Sequence, residues 1–492
     1  MSDERQQVTL AAAVDPLVLG LDVGSTASRG GLYDATGRQV AGAKHKVPHQ
    51  FTTAVDGTSE IDPDQVLAEV TEIIDAVLAA AGRRPVAGVA IDTFAASLLA
   101  VDADGEALTP CYTYADARSA PQVAELRAEL DEPAVQQRTG TRIHTSYHAP
   151  RLRWLAATAP DVVARTARWL SIGEYLYLRL LGTTAVGTSA AAWTGLLDRR
   201  TGEWDAELLA AVGTDADRLA PVRDPDRPLP PAPAVADRWP ALADAVWFPV
   251  VADGFASNVG VGATDPATVA ASAATSGALR VLLAAPPEHV PSGLWCYRVT
   301  ADRWLLGGAL NDVGRAATWL AETLRLDGEP GPVLAAPPRP GGPLVLPYLS
   351  GERAPGWAAQ ARAHLAGVTA ATTAADLLRA GMEGVAVTYA RVAAELADAA
   401  PDAARIMASG RVTNDLPEWL QILADTLGRP VSHVAAKRIT LRGTVLLALD
   451  TLAPDVPRTE VTGSTYEPLA DRAAYYAERQ AEFTALYDAV VR

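Results

Sequence analysis

The feature that most restricts the fold is a change of hydrophobic period early in the chain. Residues 17–23, from Leu17 to Val23, form a short apolar run with β-branched members. Gly24-Ser25-Thr26 follows as a turn, then a second strand-like stretch through Leu32-Tyr33, then another turn at Asp34-Ala35-Thr36-Gly37-Arg38. The pattern predicts strand, tight loop, strand, turn, strand. The period then becomes that of a helix. Asp62 is placed to cap it, Pro63 suits its first position, and Gln65 completes the spacing of a capping box. Val66, Leu67, Val70, Ile73, Ile74, Val77 and Leu78 form one apolar face, and Gly82 can end the helix. Val86 to Ile91 reads as a buried strand. Strand and helix signals alternating in this way require a sheet covered by helices, an α/β fold.

The chain has 492 residues, which at roughly 100–200 residues per domain predicts two to four domains. A Pro-rich, charged stretch from Pro221 to Pro240 has no periodicity and is the candidate interdomain crossing. A second α/β half is expected to begin near Trp247. Pro330 to Pro343 reads as a Pro/Gly-rich loop, and Leu416, Trp419, Leu420, Leu423 and Leu427 mark an amphipathic helix that Gly428 can end. No short-period repeat is present. The tryptophans are expected mainly in the core rather than as a platform for a sugar.

Composition excludes several classes. The formal net charge of −16, without a local basic patch, argues against a nucleic-acid partner. A small anion can still bind where backbone N–H groups and a metal ion offset its charge. Two cysteines, Cys111 and Cys296, form no disulfide framework or zinc cluster, though they could pair; a reducing cytoplasm is the simplest setting. Residues 1–16 are expected to be a disordered tail, and no signal peptide or membrane-spanning run is evident.

Four short segments carry chemistry. In Asp22-Val23-Gly24-Ser25-Thr26, glycine lets the backbone approach phosphate oxygens, the hydroxyls add donors, and Asp22 can hold Mg²⁺ directly or through water. The same pentapeptide also reads as an ordinary hairpin turn. Ala274-Thr275-Ser276-Gly277 is a second small-residue loop, and together the two could grip a phosphate tail from both sides. Asp253-Gly254 follows the apolar run Phe248-Pro249-Val250-Val251, where a carboxylate facing a cleft can accept a proton from a hydroxyl. Read alone it is a turn. Ala408-Ser409-Gly410-Arg411 with Asn414-Asp415 can admit a purine at a helix entrance, or can simply cap a helix.

In this order the segments resemble the FGGY carbohydrate kinases of the actin, hexokinase and Hsp70-like ATPase superfamily, over about Leu17 to Ala448. Further stretches look like family signatures: Tyr114-Ala115-Asp116-Ala117-Arg118, Arg151-Leu152-Arg153-Trp154-Leu155, Leu365-Ala366-Gly367-Val368, Gly428-Arg429-Pro430-Val431 and Arg442-Gly443. The resemblance implies two actin-like, ribonuclease H-like α/β domains, each a mixed sheet flanked by helices, with a cleft between them. Their expected ranges are 17–246 and 247–492. It implies ATP and Mg²⁺, a small sugar or sugar acid as acceptor, no nucleic acid, no membrane, and a homodimer as a candidate assembly. Carried over by position, Asp253 is the general base and Asp22 the metal-binding carboxylate. Asp22, Gly24, Ser25, Thr26, Thr275, Ser276, Gly277, Gly308, Ser409, Gly410, Arg411 and Asn414 form the nucleotide site. Phe94, Ala95, Ala96, His144, Tyr147 and Asp253 form the acceptor site.

Arg138-Thr139-Gly140, His144-Thr145-Ser146-Tyr147, Ser171-Ile172-Gly173-Glu174-Tyr175 and Gly293-Leu294-Trp295-Cys296-Tyr297-Arg298 are most similar to the gluconokinase branch. Some residues depart from the family pattern. Ala95-Ala96 stand where it places a polar or aromatic pair, and alanine side chains cannot hydrogen-bond a sugar. Ala252, Ala274 and Arg411 stand at familiar glycine positions, and Arg151 replaces a lysine. His144 and His148 have a helical metal-ligand spacing, but a polar cleft wall is the favoured reading. Besides a kinase for gluconate, or for a ketose such as xylulose, an ATPase without acceptor and a non-catalytic sugar or nucleotide sensor remain open.

Overall fold

The computed structural model describes residues 6–461 and 463–491. Two large mixed sheets organise the chain. The first contains β1 (Gln7–Val8), β2 (Val18–Val23), β3 (Ala27–Tyr33), β4 (Gln39–Pro48), β5 (Gly88–Thr93), β6 (Val246–Trp247) and β7 (Val251–Ala252). Its order is β1-β4-β3-β2-β5, and β6 and β7 both pair with the far edge of β5. The β2–β3–β4 meander is antiparallel, while β5 runs parallel to β2 with Asp22 opposite Asp92. The second sheet contains β8 (Thr268–Ala273), β9 (Gly277–Leu283), β10 (Trp295–Thr300), β11 (Arg303–Leu310), β12 (Arg405–Ser409), β13 (Val431–His433) and β14 (Thr465–Tyr466). Its order is β10-β11-β9-β8-β12-β13-β14. The sheets share a plan. In each, a hairpin carries a short loop (24–26 or 274–276), and its first strand has a parallel neighbour, β5 or β12.

The expected first helix is present as α1 (Pro63–Ala81), with Val66, Val70, Ile73, Ile74, Val77 and Leu78 buried against the first sheet. Its cap is simpler than the spacing predicts. Asp62 accepts from the Asp64 N–H at 2.9 Å, but Gln65 turns away and donates to Glu69 at 2.9 Å. A one-turn reach to a nearby carboxylate displaces the return bond of a capping box. The predicted Trp419 helix runs from Trp419 to Leu427, and Gly428 closes it in the left-handed conformation.

Three expectations are corrected. Residues 6–16 are not a free tail: β1 pairs in parallel with Gln39 and Val40, and Leu10–Ala12 forms a 3₁₀ turn. Residues 1–5 lie outside the described residues. The chain after the Pro-rich crossing does not open the second half at Trp247, because β6 and β7 return to the first sheet and β8 starts the second. Within the expected 330–343 loop, Pro330–Ala335 is a short helix begun by its proline.

Two helices tie the halves together: α2 (Asp253–Gly260) and α3 (Ile439–Leu452). They cross where Gly443 meets the Ala256 carbonyl and Gly260 meets the Ile439 carbonyl, contacts that leave no space for a Cβ. Leu441 and Val445 of α3 also lie over Gly20 of β2. The helix α3 therefore rests on the first sheet, and the cleft opens between the two halves.

Candidate active site

Asp253 is the first residue of α2, directly after β7. Because Ala252 pairs with Thr93, that strand end brings Asp253 beside the loop that leaves β5. Ala252 has φ of −76° and ψ of 135°, ordinary extended geometry, so alanine here carries no backbone penalty. The Asp253 carboxylate accepts the Gly254 N–H at 2.7 Å, and the backbone amide of Ala95 faces it and favours its charge. Burial pushes its pKa up to about 6. The Arg280 guanidinium opposes that rise, Asp22 adds to it, and the Gly254 and Ala95 amides hold it down. Such a group is ionised at neutral pH and still basic enough to take a proton.

Asp253 lines a cavity of about 220 Å³ with Phe94, Ala95, Ala96, His144 and Tyr147, and with Ser25, Ser276 and Gly277 from the two loops. The five acceptor residues expected beside Asp253 are thus brought together. Ala96 has a φ of 56°, a left-handed conformation uncommon for alanine, and its carbonyl accepts from Arg151 at 2.6 Å. His144 stands edge-on to Trp357 at 5.5 Å and accepts the Ser146 N–H at Nδ1. His148 is turned into the interior, bonded to the Ser97 carbonyl at 3.0 Å. Burial, with nearby arginines second, pushes the pKa of both histidines down to about 3, so both are neutral. They do not form a metal pair, and among the described residues no group of three or more His, Cys, Asp or Glu could hold a metal ion.

The second loop separates this cavity from a larger one of about 500 Å³. Ser276 and Gly277 face the acceptor cavity, whereas Ala274 and Thr275 line the larger one with Trp319, Leu378 and Arg411. Arg411 stands at the rim, largely exposed and paired with Asp415 at 2.9 Å. Neither Ser409, Gly410, Asn414 nor Gly308 lines either cavity. Asn414 donates to the Gly410 carbonyl at 2.9 Å and so braces the loop. Gly308 is packed against Ala354 and Leu294 in the second core, and its neighbour Ala309 reaches the acceptor cavity instead.

The first loop is braced from behind. His49 joins its Gly24 carbonyl (2.8 Å) to Glu69 of α1 (2.8 Å), and Ser28 also donates to Glu69 at 2.7 Å. Asp22 sits at the base of the loop, ion-paired with Arg29 at 3.2 Å. Beside it Asp92 is wholly buried. Thr444 donates to one oxygen at 2.5 Å and the other has no partner. Burial pushes the Asp92 pKa well up and Asp22 adds to the rise; burial likewise raises Asp22. One carboxylate near phosphate-type loops, with an orphan oxygen next to it, suits a magnesium-type ion that keeps most of its water and phosphate ligands.

Two sequence profiles match the chain: the N-terminal domain of the FGGY family of carbohydrate kinases over residues 17–227, and its C-terminal domain over residues 269–451. The chain belongs to the FGGY family of carbohydrate kinases. It is 26% identical to the gluconokinase of Bacillus subtilis (strain 168), with 93% of each chain covered. The crystal structure of gluconate kinase from Lactobacillus acidophilus superposes with a TM-score of 0.89 at 26% identity, covering 96% of this chain and 98% of that one. The ligand-bound xylulose kinase from Lactobacillus acidophilus gives 0.90 at 27% identity, with the same coverage. As a member of this family the chain is a phosphotransferase with an alcohol acceptor, and FGGY kinases use ATP with a divalent metal. No helix among the described residues is long and apolar enough to cross a membrane. Both cysteines are free and buried.

The FGGY cleft also contains residues that the sequence did not single out. Trp193 stacks on Tyr297 with centroids 3.7 Å apart, and the Tyr297 and Tyr147 hydroxyls are 2.7 Å apart. Trp193, Trp295 and Trp357 all line the acceptor cavity, so these tryptophans are a cleft wall, whereas Trp247 and Trp419 are core. Alternation along β10 was the available signal. Trp295 and Tyr297 share one face and Cys296 takes the other. Arg280 was legible as a charge inside the apolar strand Leu279–Leu283.

Proposed function

We propose that this FGGY kinase transfers the γ-phosphoryl group of Mg-ATP to a hydroxyl of a gluconate-like sugar acid. The observation that carries the reading is the 274–277 loop, set between the two cavities with Asp253 facing one of them. The larger cavity is suited to the nucleoside, and Gly24–Thr26 and Thr275–Gly277 would hold its phosphates with backbone and hydroxyl donors. Asp22 would hold the metal ion. When bound, Mg-ATP supplies the electrophilic phosphorus and charge neutralisation. Asp253 accepts the proton of the acceptor hydroxyl, and the Ala95 and Gly254 amides keep its carboxylate aimed. The aromatic wall and the neutral His144 exclude water from the acceptor side.

Likeness to the Bacillus subtilis gluconokinase supports a gluconate-like acceptor, whereas the equally good superposition on a xylulose kinase favours a ketose as the second reading. The test is ADP release with Mg-ATP across aldonates, ketopentoses, ketohexoses and polyols, with Asp253→Ala alongside. One acceptor that stimulates turnover only with Asp253 present names the substrate. ADP release that ignores every acceptor points to an ATPase, and nucleotide or sugar binding without turnover points to a sensor.

A further inference from the structure

Two guanidinium groups enter the acceptor cavity, from Arg280 in β9 and from Arg353. They differ from the other arginines nearby. Arg315 is paired with Asp312 at 3.2 Å and Arg391 with Glu352 at 2.6 Å. Among the described residues, no carboxylate oxygen lies within the 4.0 Å ion-pair distance of Arg280 or Arg353. Arg280 makes one long bond, 3.4 Å to Ser272, and its buried Nε has no partner. Arg353 makes one bond, 3.2 Å to Ser146. Each guanidinium has five N–H donors in a planar fork, so most of this donor capacity is not met by hydrogen bonds within the protein.

Asp253 is the only acidic residue among those lining the cavity. With Asp253 ionised, one positive charge on the wall is uncompensated. Both arginines line this cavity together with the Tyr297 phenol. A neutral polyol would leave a half-buried positive charge on this wall without a counter-ion, which disfavours it. A carboxylate matches the fork geometry and supplies the missing charge.

We infer that Arg280 and Arg353 are the specificity-determining residues of this cavity and that they read a carboxylate, so the acceptor is a sugar acid and not a neutral ketose or polyol. The inference rests on the kinase reading for the cavity's role, and it names the residues that make the choice. The main rival is that Arg280, beside Ser276 and Gly277, serves only the transferring phosphate.

The experiment measures binding without nucleotide, by calorimetry or by the fluorescence of the cavity tryptophans. The probes are a series of aldonates, gluconate included, each with the matched alditol that lacks only the carboxylate. Wild type is compared with Arg280→Met and Arg353→Met, and retained ADP binding reports that each variant is folded. For at least one aldonate the expected preference over its alditol is about tenfold or more; each variant removes most of it and leaves alditol binding within about twofold. The inference is overturned if no aldonate binds, if acid and alditol bind alike, or if the variants weaken both equally. The rival predicts that Arg280→Met lowers kcat for every acceptor and leaves the preference unchanged, which removes Arg280 from the assignment. Failure of the kinase reading looks different: acids bind with the expected preference, but none stimulates ADP release.

Discussion

The backbone amide of Ala95 faces the carboxylate of Asp253 and stabilises its charge. An alanine pair in the substrate loop suggests a lost polar contact, yet the loop still serves the reaction centre through its main chain. Activity should therefore depend on Asp253 and on pH in a related way. Asp253→Ala is expected to lower kcat by about 10²–10⁴, the usual loss for a general base. In wild type, kcat/KM should fall below a midpoint near pH 6, because a protonated Asp253 cannot accept the hydroxyl proton. A profile flat from pH 5 to 8, together with a fully active variant, would remove Asp253 from this role.

The same group should make the protein less stable as pH rises. In the unfolded chain Asp253 ionises near 3.8, but in the folded protein only near 6. Between those values the unfolded state loses its proton first, so stability falls as pH rises and levels off above about 6. Asp253→Asn cannot ionise. It should gain stability over wild type from pH 4 to 6 and hold that gain at pH 8, with about 3 kcal/mol as the ceiling for a two-unit shift. Denaturant midpoints at three pH values test this, and a gain that shrinks with pH would contradict it.

What could be read from the sequence was what is local. The hairpin loop at Gly24–Thr26, the α1 face and the strand before Asp253 each depend on neighbours a few residues away. The acceptor wall does not. Tyr147, Trp193, Tyr297 and Trp357 come from distant segments, and only the fold puts Trp193 on Tyr297. The same limit explains the misplaced boundary at Trp247. A two-residue strand such as β6 joins the first sheet through its pairing with β5, which no periodicity in so short a run can announce.

Ala96 offers a test of the backbone. At φ 56° an alanine is strained by about 1–2 kcal/mol relative to the right-handed regions, and glycine is not. Part of that gain is offset by the extra freedom of glycine in the unfolded chain, so Ala96→Gly should stabilise by up to about 1 kcal/mol. Thermal unfolding should show a small rise in Tm. A drop would mean that the Ala96 methyl, which lines the cavity, contributes packing that outweighs the strain.

His49 is expected to support nucleotide binding without touching it. Its ring is fully buried between Glu69 and the Gly24 carbonyl. His49→Ala removes both bonds and opens a cavity, a loss of about 2–4 kcal/mol. Because the brace reaches the first phosphate loop, KM for ATP should rise more than KM for the acceptor. An equal rise in both, or neither, would confine His49 to a packing role.

Trp319 gives the most direct check on where the nucleotide lies. It is 39% exposed, unusual for so large an apolar side chain, and it lines the 500 Å³ cavity beside Thr275. Arg411, at the same rim, is tied to Asp415 and turned largely to solvent, so the indole is the better platform for a flat base. Stacking of a base on an aromatic ring contributes about 1–3 kcal/mol, so Trp319→Ala should weaken ADP binding by roughly 5- to 150-fold. The variant should leave acceptor binding unchanged, since Trp319 does not line the cavity that contains Asp253. ADP should also alter the tryptophan fluorescence of wild type, and that change should be lost in Trp319→Phe even if the phenyl ring keeps part of the affinity. Unaltered ADP affinity in both variants would place the base elsewhere and would detach the larger cavity from the phosphate loop that borders it.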